Sequence, residues 1–175
     1  MAARLREIRV IAAPASPARG VLVAGGLRVR CALGRSGIRR DKHEGDGATP
    51  SGRHRLVAVL YRPDRLDAPR TPLPVLPIAR NSGWCDDPHD RRYNRLVRLP
   101  CAAGHEDLWR SDRLYDLVVV LDYNLATPKL GKGSAIFLHV AAPGLTPTAG
   151  CVAIELPILR RLLALSGPDT DLVVA

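Results

Sequence analysis

The chain has 175 residues, a formal net charge of +9 at pH 7 and a hydrophobic content of 46%. This length fits one domain with a sizeable core, residues 1–175, and no linker divides it. No apolar run approaches the roughly 18 residues of a membrane-spanning helix, so we expect no stable membrane insertion, and residues 1–20 lack the continuous apolar core of a signal peptide.

The positive charge predicts attraction to a polyanion. The arginines are scattered along the chain, and no helix-turn-helix, zinc-finger or aromatic-stacking motif accompanies them. We therefore expect no nucleic acid partner.

The composition favours strands. Aromatic residues make up 4% of the chain, whereas glycine and proline number 15 each. Many turns and a core built from Val, Leu, Ile and Ala are typical of short strands rather than long helices, and so predict a mainly β fold.

The first part of the chain predicts three strands. Two short apolar stretches, Arg6–Ala12 and Val21–Ala24, flank residues 13–20, whose prolines predict a turn. A hairpin turn at Gly25-Gly26 then leads to a third strand at Leu27–Leu33.

Residues 34–50 form a polar, glycine-rich loop that is too long for a plain connector, and such loops tend to carry function. Its charged side chains are Arg35, Arg39, Arg40, Lys42, Glu44 and Asp46. They either line a cleft or are solvated, and solvation is the default expectation. A strand at Leu56–Tyr61 follows.

Residues 62–104 are the least regular part of the chain, with frequent prolines and a polar run at residues 81–95. A helical turn is predicted for residues 105–112. It is followed by a strand at Leu114–Tyr123, whose apolar centre predicts burial on both faces.

The cysteines are Cys31, Cys85, Cys101 and Cys151. Cys85 precedes His89, and Cys101 precedes His105, with a spacing that allows a zinc site. The helix or tight turn that usually presents such ligands is missing, so no metal is expected. A disulfide between Cys85 and Cys101 stays open as an alternative.

A histidine and a cysteine near the C-terminal end lie at neighbouring ends of two predicted strands. Ala135–Val140 predicts a buried strand with His139 near its end. A loop rich in proline and glycine follows, and Gly150 permits a close backbone approach just before Cys151, where a short strand at Val152–Leu156 begins. A histidine beside a cysteine can take the thiol proton and produce the nucleophile. The alternative is that both residues only pack in the core.

The chain ends with its clearest helix. Pro157–Ser166 has proline in its first turn, leucines on one face and arginines on the other, and Gly167 ends it. Leu172–Val174 predicts an edge strand.

Two motifs, in this order, resemble the L,D-transpeptidase catalytic domain (the YkuD-like family) of bacterial cell-wall enzymes. Thr49-Pro50-Ser51-Gly52 is similar to that family's Thr-Pro-x-Gly turn, and His139 with Gly150-Cys151 is similar to its catalytic histidine and Gly-Cys pair. The resemblance spans residues 27–156. It implies a YkuD-like β-sandwich or barrel of mixed strands with one or two short helices, the main one near the C-terminus.

The resemblance also implies an acyltransferase that needs no cofactor. Cys151 would form an acyl-thioester with a peptidoglycan stem peptide and pass it to an amine of another stem, with His139 as the base. Backbone N–H groups at Cys151 and its neighbours, Gly150 included, would hold the oxyanion. The family acts in the periplasm or cell wall. A cysteine carboxypeptidase or endopeptidase, a hydrolase of another amide, and a catalytically inactive wall-binding module are the alternatives.

The sequence departs from the family's Ser-His-Gly-Cys-x-Arg motif. Thr148, Ala149 and Ala153 stand where the serine, the second histidine and the arginine would be. With its short loop between histidine and cysteine, the chain resembles a compact divergent branch that joins the first stem residue to the third.

The resemblance places the polar run 81–95 over the active site. Its substrate-binding candidates are Trp84, Tyr93, Asn94, Arg91, Arg92 and Arg95. The aromatic side chains offer a large contact area at low entropic cost. The arginines would supply the cation that position 153 lacks. The alternative is a loop that its aromatics pin to the body of the protein.

Overall fold

The computed structural model describes residues 4–175 and is mainly β. Its strands are β1 (Glu7–Ala13), β2 (Ser16–Ala24), β3 (Leu27–Ala32), β4 (Ile38–Arg39), β5 (Thr49–Pro50), β6 (Gly52–Tyr61), β7 (Val75–Pro77), β8 (Ser82–Cys85), β9 (Arg95–Arg98), β10 (His105–Asp107), β11 (Leu117–Leu121), β12 (Phe137–Val140), β13 (Val152–Ile154) and β14 (Asp171–Val174). A 3₁₀ turn spans Pro143–Leu145, and the helix α1 spans Leu156–Leu165.

The main sheet closes into a barrel. Its strand order is β11-β12-β13-β3-β2-β1-β14-β6-β7, and β11 also pairs with β6 to complete the ring. Most neighbours are antiparallel, whereas β1–β14, β12–β13 and β6–β7 are parallel. The fold class predicted from the sequence, a mixed β-barrel with its main helix near the C-terminus, is confirmed.

The barrel interior holds the larger core. Buried aliphatic side chains from alternate positions of the strands fill it, among them Ile8, Leu22, Leu138 and Ile154. Helix α1 covers one end with Leu159, Leu162 and Leu163, while Arg160 and Arg161 face solvent. The helix has Pro157 in its first turn, where no intrahelical N–H is required.

A smaller sheet, β10-β8-β9, packs on the outside of the barrel and encloses a second core. Trp84 and Leu108 meet Val118, Val120 and Phe137, which point outward from β11 and β12. The strands β11 and β12 are therefore buried on both faces, as the uninterrupted apolar sequence of β11 predicted. The second core matters because the Cys151 side chain lies in it.

Three local predictions were wrong, because strand pairing rather than local composition decides each conformation. Residues 13–20 were expected as a turn, but Ser16 onward belongs to β2, which pairs with β3 and, across a bulge at Ala12/Ala13, with β1. Residues 105–112 were expected as a helical turn, but their first part pairs with β8. The expected edge strand at the C-terminus lies between β1 and β6.

Candidate active site

The two parallel strands β12 and β13 place His139 and Cys151 on the same outer face of the barrel. In their register Leu138 pairs with Val152, and His139 with Ala153. Because side chains alternate along a strand, Leu138 and Val152 point into the barrel, and the histidine and cysteine point the other way. The structure thus brings together the catalytic residues proposed from the sequence.

Both side chains line a cleft of about 480 Å³ between the barrel and the small sheet. Three walls surround it: the loop that carries Lys42 and Glu44, the β10 region with Glu106 and Arg110, and the turn before Cys151. The further lining residues include Arg35, Asp86, His105, Tyr115, Ser134, Thr148, Gly150 and Ala153. The cleft therefore presents charges of both signs around the thiol.

Gly150 has a backbone conformation that only glycine adopts easily. Its φ is 149°, and a Cβ atom there would lie 2.8 Å from the carbonyl oxygen of Ala48. Thr148 braces this turn, since its Oγ1 accepts a hydrogen bond from the Gly150 N–H (3.1 Å) and donates one to the Cys151 carbonyl (2.7 Å). The threonine thus supplies a hydroxyl at the position where the family motif has serine.

The Cys151 thiol is held by backbone groups and is 7% exposed. Its Sγ donates a hydrogen bond to the Ala135 carbonyl (3.1 Å) and accepts one from the Phe137 N–H (3.3 Å). Burial raises the pKa of the Cys151 thiol to about 12, so the group is protonated at neutral pH.

The His139 imidazole is also buried, with 4% of the residue exposed. Its Nδ1 lies 2.8 Å from the Val140 carbonyl, which can only accept, so Nδ1 carries the proton and Nε2 is the basic nitrogen. Burial lowers the pKa of His139 to about 4, and the ring is neutral. Within residues 4–175 no hydrogen bond joins the imidazole to the thiol; both are neutral and share one cleft.

Tyr115 and Glu106 form the wall behind the imidazole. The Tyr115 ring meets His139 edge-on with 5.3 Å between centroids, and its hydroxyl donates a 2.6 Å hydrogen bond to Glu106. Burial raises the pKa of Glu106. This pair was not singled out from the sequence. Glu106 lies in a segment that was predicted as a helical turn, and the pairing of this segment with β8 is not visible in the local sequence.

A family model described as the L,D-transpeptidase catalytic domain, YkuD, matches residues 15–174. The chain belongs to this family. The match covers nearly the whole chain and extends beyond the residues 27–156 over which the motifs indicated a resemblance. Neither a curated protein nor a solved structure matches the chain.

In this L,D-transpeptidase family member, three of the predicted substrate-binding residues lie beneath the cleft. Trp84, Tyr93 and Asn94 are buried. Asn94 Oδ1 accepts hydrogen bonds from Trp84 Nε1 (2.9 Å) and from the Ala135 N–H (3.0 Å), and its Nδ2 donates to the Asn124 carbonyl (2.7 Å). These are the contacts of a loop pinned to the body of the protein, and direct contact with a stem peptide stays a prediction.

The Asn94 amide fixes the residue whose carbonyl accepts the thiol proton. Ala135 has a φ of 51°, a left-handed conformation that is uncommon for alanine. The bond from its N–H to Asn94 and the bond from the Cys151 thiol to its carbonyl lie on either side of this strained residue. Tyr93 adds a second anchor, since its hydroxyl accepts the Gly133 N–H (3.0 Å) and donates to Glu44.

The arginines proposed from the sequence lie away from the cleft lining. Arg92 forms an ion pair with Asp90 (2.7 Å), Arg95 donates to the Ala126 carbonyl (3.3 Å), and Arg91 is exposed. The cations that do line the cleft are Arg35, Lys42 and Arg110. Solvation was the default expectation for the loop charges, and it is wrong for Lys42, which is 3% exposed.

The structure gives no support to the zinc alternative. Among residues 4–175, no group of three or more His, Cys, Asp or Glu side chains is arranged to hold a metal ion. Cys85 and Cys101 pack in one small cluster as free thiols, so their pairing stays a prediction. In the same part of the chain, no helix has the length and hydropathy to cross a bilayer.

Proposed function

We propose that the chain is a peptidoglycan L,D-transpeptidase in which Cys151 is the acylated nucleophile and His139 the base. The observation that carries the proposal is the placement of a neutral thiol and a neutral imidazole on the same face of β12–β13, inside a cleft large enough for a peptide. Family membership supports the reaction class, and the covalent chemistry needs only these two side chains.

The protonation states define how the first step proceeds. Because burial keeps both groups neutral, the thiol proton moves to His139 Nε2 as Sγ attacks the peptide carbonyl, rather than from a resting thiolate–imidazolium pair. A bond forms between Sγ and the carbonyl carbon. The tetrahedral intermediate collapses as the C–N bond breaks and His139 returns the proton to the leaving amine. An amine of a second stem then attacks the thioester and makes the cross-link.

The substrate is a stem peptide with carboxylates, and the resemblance to the compact divergent branch favours linkage of a first stem residue to a third over linkage of two third residues. Arg35 is our candidate for the carboxylate site, since it lines the cleft, and within residues 4–175 its guanidinium donates only to the Gly45 carbonyl (3.2 Å) and forms no ion pair. Arg91, Arg92 and Arg95 stay the alternative to Arg35, for a stem that extends beyond the cleft. A peptidoglycan substrate implies that the protein acts in the periplasm or cell wall.

The test uses purified disaccharide-peptide stems with the wild type, Cys151→Ala and His139→Gln proteins, and mass spectrometry of the products. We expect a cross-linked dimer from the wild type alone, and the fragment released identifies the bond that was cut. Shortened monomer without dimer would make the protein a carboxypeptidase or endopeptidase. Unchanged stems would remove the enzymatic proposal.

A catalytically inactive wall-binding module is the second candidate, and two observations favour it. The pKa of Cys151 is raised, and the thiol donates to a backbone carbonyl instead of the imidazole. Such a module would sediment with purified peptidoglycan equally well as wild type and as Cys151→Ala, with no thioester on either. A thioester on the wild type would eliminate it.

A further inference from the structure

Lys42 is a buried cation beside the nucleophile. The residue is 3% exposed and lines the same cleft as Cys151. Its methylene chain passes over Gly133, where a Cβ atom would lie 2.9 Å from Lys42 Cε. A Cβ atom on Gly150 would lie 3.4 Å from Lys42 Nζ. Two glycines therefore leave the space in which this side chain reaches the turn before Cys151.

The ammonium group has one hydrogen-bond donor left. Its Nζ donates to Asp46 Oδ1 (2.8 Å) and to the His43 carbonyl (3.3 Å), while an ammonium carries three N–H bonds. Asp46 is itself fixed, since it accepts the N–H groups of His43 and Ala48 at 2.8 Å each. Although burial opposes ionisation, these hydrogen bonds lower the pKa of Asp46 to about 2, so a charged pair persists in the cleft wall.

Apart from the Cys151 N–H, few donors are available at this point of the cleft. The Gly150 N–H is already bonded to Thr148, so it cannot serve an oxyanion without breaking that turn. Position 153 is alanine, and Arg110 is engaged by Asp112 (2.6 Å). An oxyanion forming on a carbonyl attacked by Cys151 nevertheless needs a preorganised positive group close by.

We propose that the Lys42 ammonium donates its remaining hydrogen bond to the oxygen of the acyl group that Cys151 attacks, and so stabilises the tetrahedral oxyanion. For the natural substrate this rests on the proposed function. The chemical step itself requires only that an acyl carbonyl reaches Cys151. The ion pair with Asp46, which stays ionised, holds the ammonium group in position.

The experiment compares two reactions of the same thiol in wild type and Lys42→Gln. p-Nitrophenyl acetate acylates the thiol through an oxyanion as p-nitrophenolate leaves, whereas iodoacetamide alkylates it without one. We expect Lys42→Gln to slow acylation by about 10²–10³-fold, the effect of losing one oxyanion donor, and to slow alkylation far less. Cys151→Ala corrects for the other cysteines. Lys132→Gln, which removes an exposed lysine paired with Asp41, is the matched control and should leave both rates unchanged.

Equal losses in the two reactions would overturn the proposal, because Lys42 would then act on the thiolate or on the fold alone. Unchanged acylation would overturn it as well. If Lys42→Gln does not fold, Lys42→Gln/Asp46→Asn removes the charged pair together and gives the same comparison. The assay with p-nitrophenyl acetate uses no stem peptide. If the transpeptidase proposal fails, the stems therefore give no cross-linked product while this assay can still report the role of Lys42.

Discussion

Burial sets the resting state of the two central residues. The Cys151 thiol and the His139 ring lie almost fully buried in the wall of the cleft, where the charged form of each group is disfavoured. Proton transfer must therefore accompany the attack on the substrate, because the new bond between Sγ and the carbonyl carbon removes the negative charge that would otherwise remain on sulfur. This favours general base catalysis over a preformed ion pair.

The pH dependence of thiol alkylation tests this resting state. With a pKa of about 12, the thiolate fraction of Cys151 should rise about tenfold per pH unit through the neutral and mildly alkaline range, without a plateau. The measurement is the rate at which iodoacetamide labels the peptide that contains Cys151, followed by mass spectrometry. A plateau near neutral pH would show a stabilised thiolate and contradict the account.

Acid should destabilise the protein through His139. Its pKa is lowered by burial from 6.5 to about 4, so between these values the unfolded chain binds a proton that the folded chain does not. Stability is therefore lost as the pH falls through this window, by about 3 kcal/mol for this group. Thermal melting of wild type and His139→Gln should show a steeper fall in Tm for the wild type. Parallel curves would mean that the ring is charged in the folded protein.

At the scale of elements, the sequence predicted the strands and the helix that are specified by their own residues. The strands β3, β11 and β12 and the helix α1 lie within a few residues of their predicted positions, because apolar patterning and end signals specify them. The strand β2 begins earlier than predicted, because its pairing with β1 extends to Ser16, and β10 was missed because it pairs with β8. The strand β14 was predicted, but it lies between β1 and β6 instead of at an edge.

The same division holds in the site. His139 lies on a strand and Cys151 directly before a strand that the sequence predicts, and the resemblance to the family motif singles out both residues. Glu106 and Tyr115 come from segments buried between the small sheet and the barrel, which no local pattern reveals, and Lys42 is buried against the distant Gly133 and Gly150.

The loop below the cleft offers a test of positioning. Asn94→Ala should remove the acceptor of two buried N–H groups, from Trp84 and Ala135, and also strain its own backbone, whose φ is 57°. We expect a loss of about 2–4 kcal/mol in the free energy of unfolding. Asn94→Gly is the matched variant, since glycine tolerates that φ and lacks the amide. If the amide positions Ala135, both variants slow acylation of Cys151; a normal rate in Asn94→Gly would remove this role.

For the whole molecule, the position of a charge matters more than the net charge of +9. Many arginines are exposed or engaged in ion pairs, whereas the cleft between the barrel and the small sheet collects a few cations around one thiol. Recognition of a stem peptide should accordingly depend on the cations of the cleft.

Substitutions at Arg35 and Arg92 distinguish a carboxylate site in the cleft from one in the polar run 81–95. Replacing Arg35 with Gln should weaken stem-peptide binding by roughly ten- to a hundredfold, the effect of one lost hydrogen bond between charged groups. Arg92→Gln, at an arginine already paired with Asp90, should change it little. The measurement is KM for acylation by the stem. The reverse order would return the carboxylate site to the segment that the sequence suggested.

The most direct test of the account is the mass of the intact protein after rapid mixing with a stem peptide and acid quenching. We predict a mass increase equal to the acyl part of the stem, located at Cys151, absent in Cys151→Ala and strongly reduced in His139→Gln. A wild-type protein that stays unmodified under conditions in which the stem is bound would contradict the claim that Cys151 is the nucleophile.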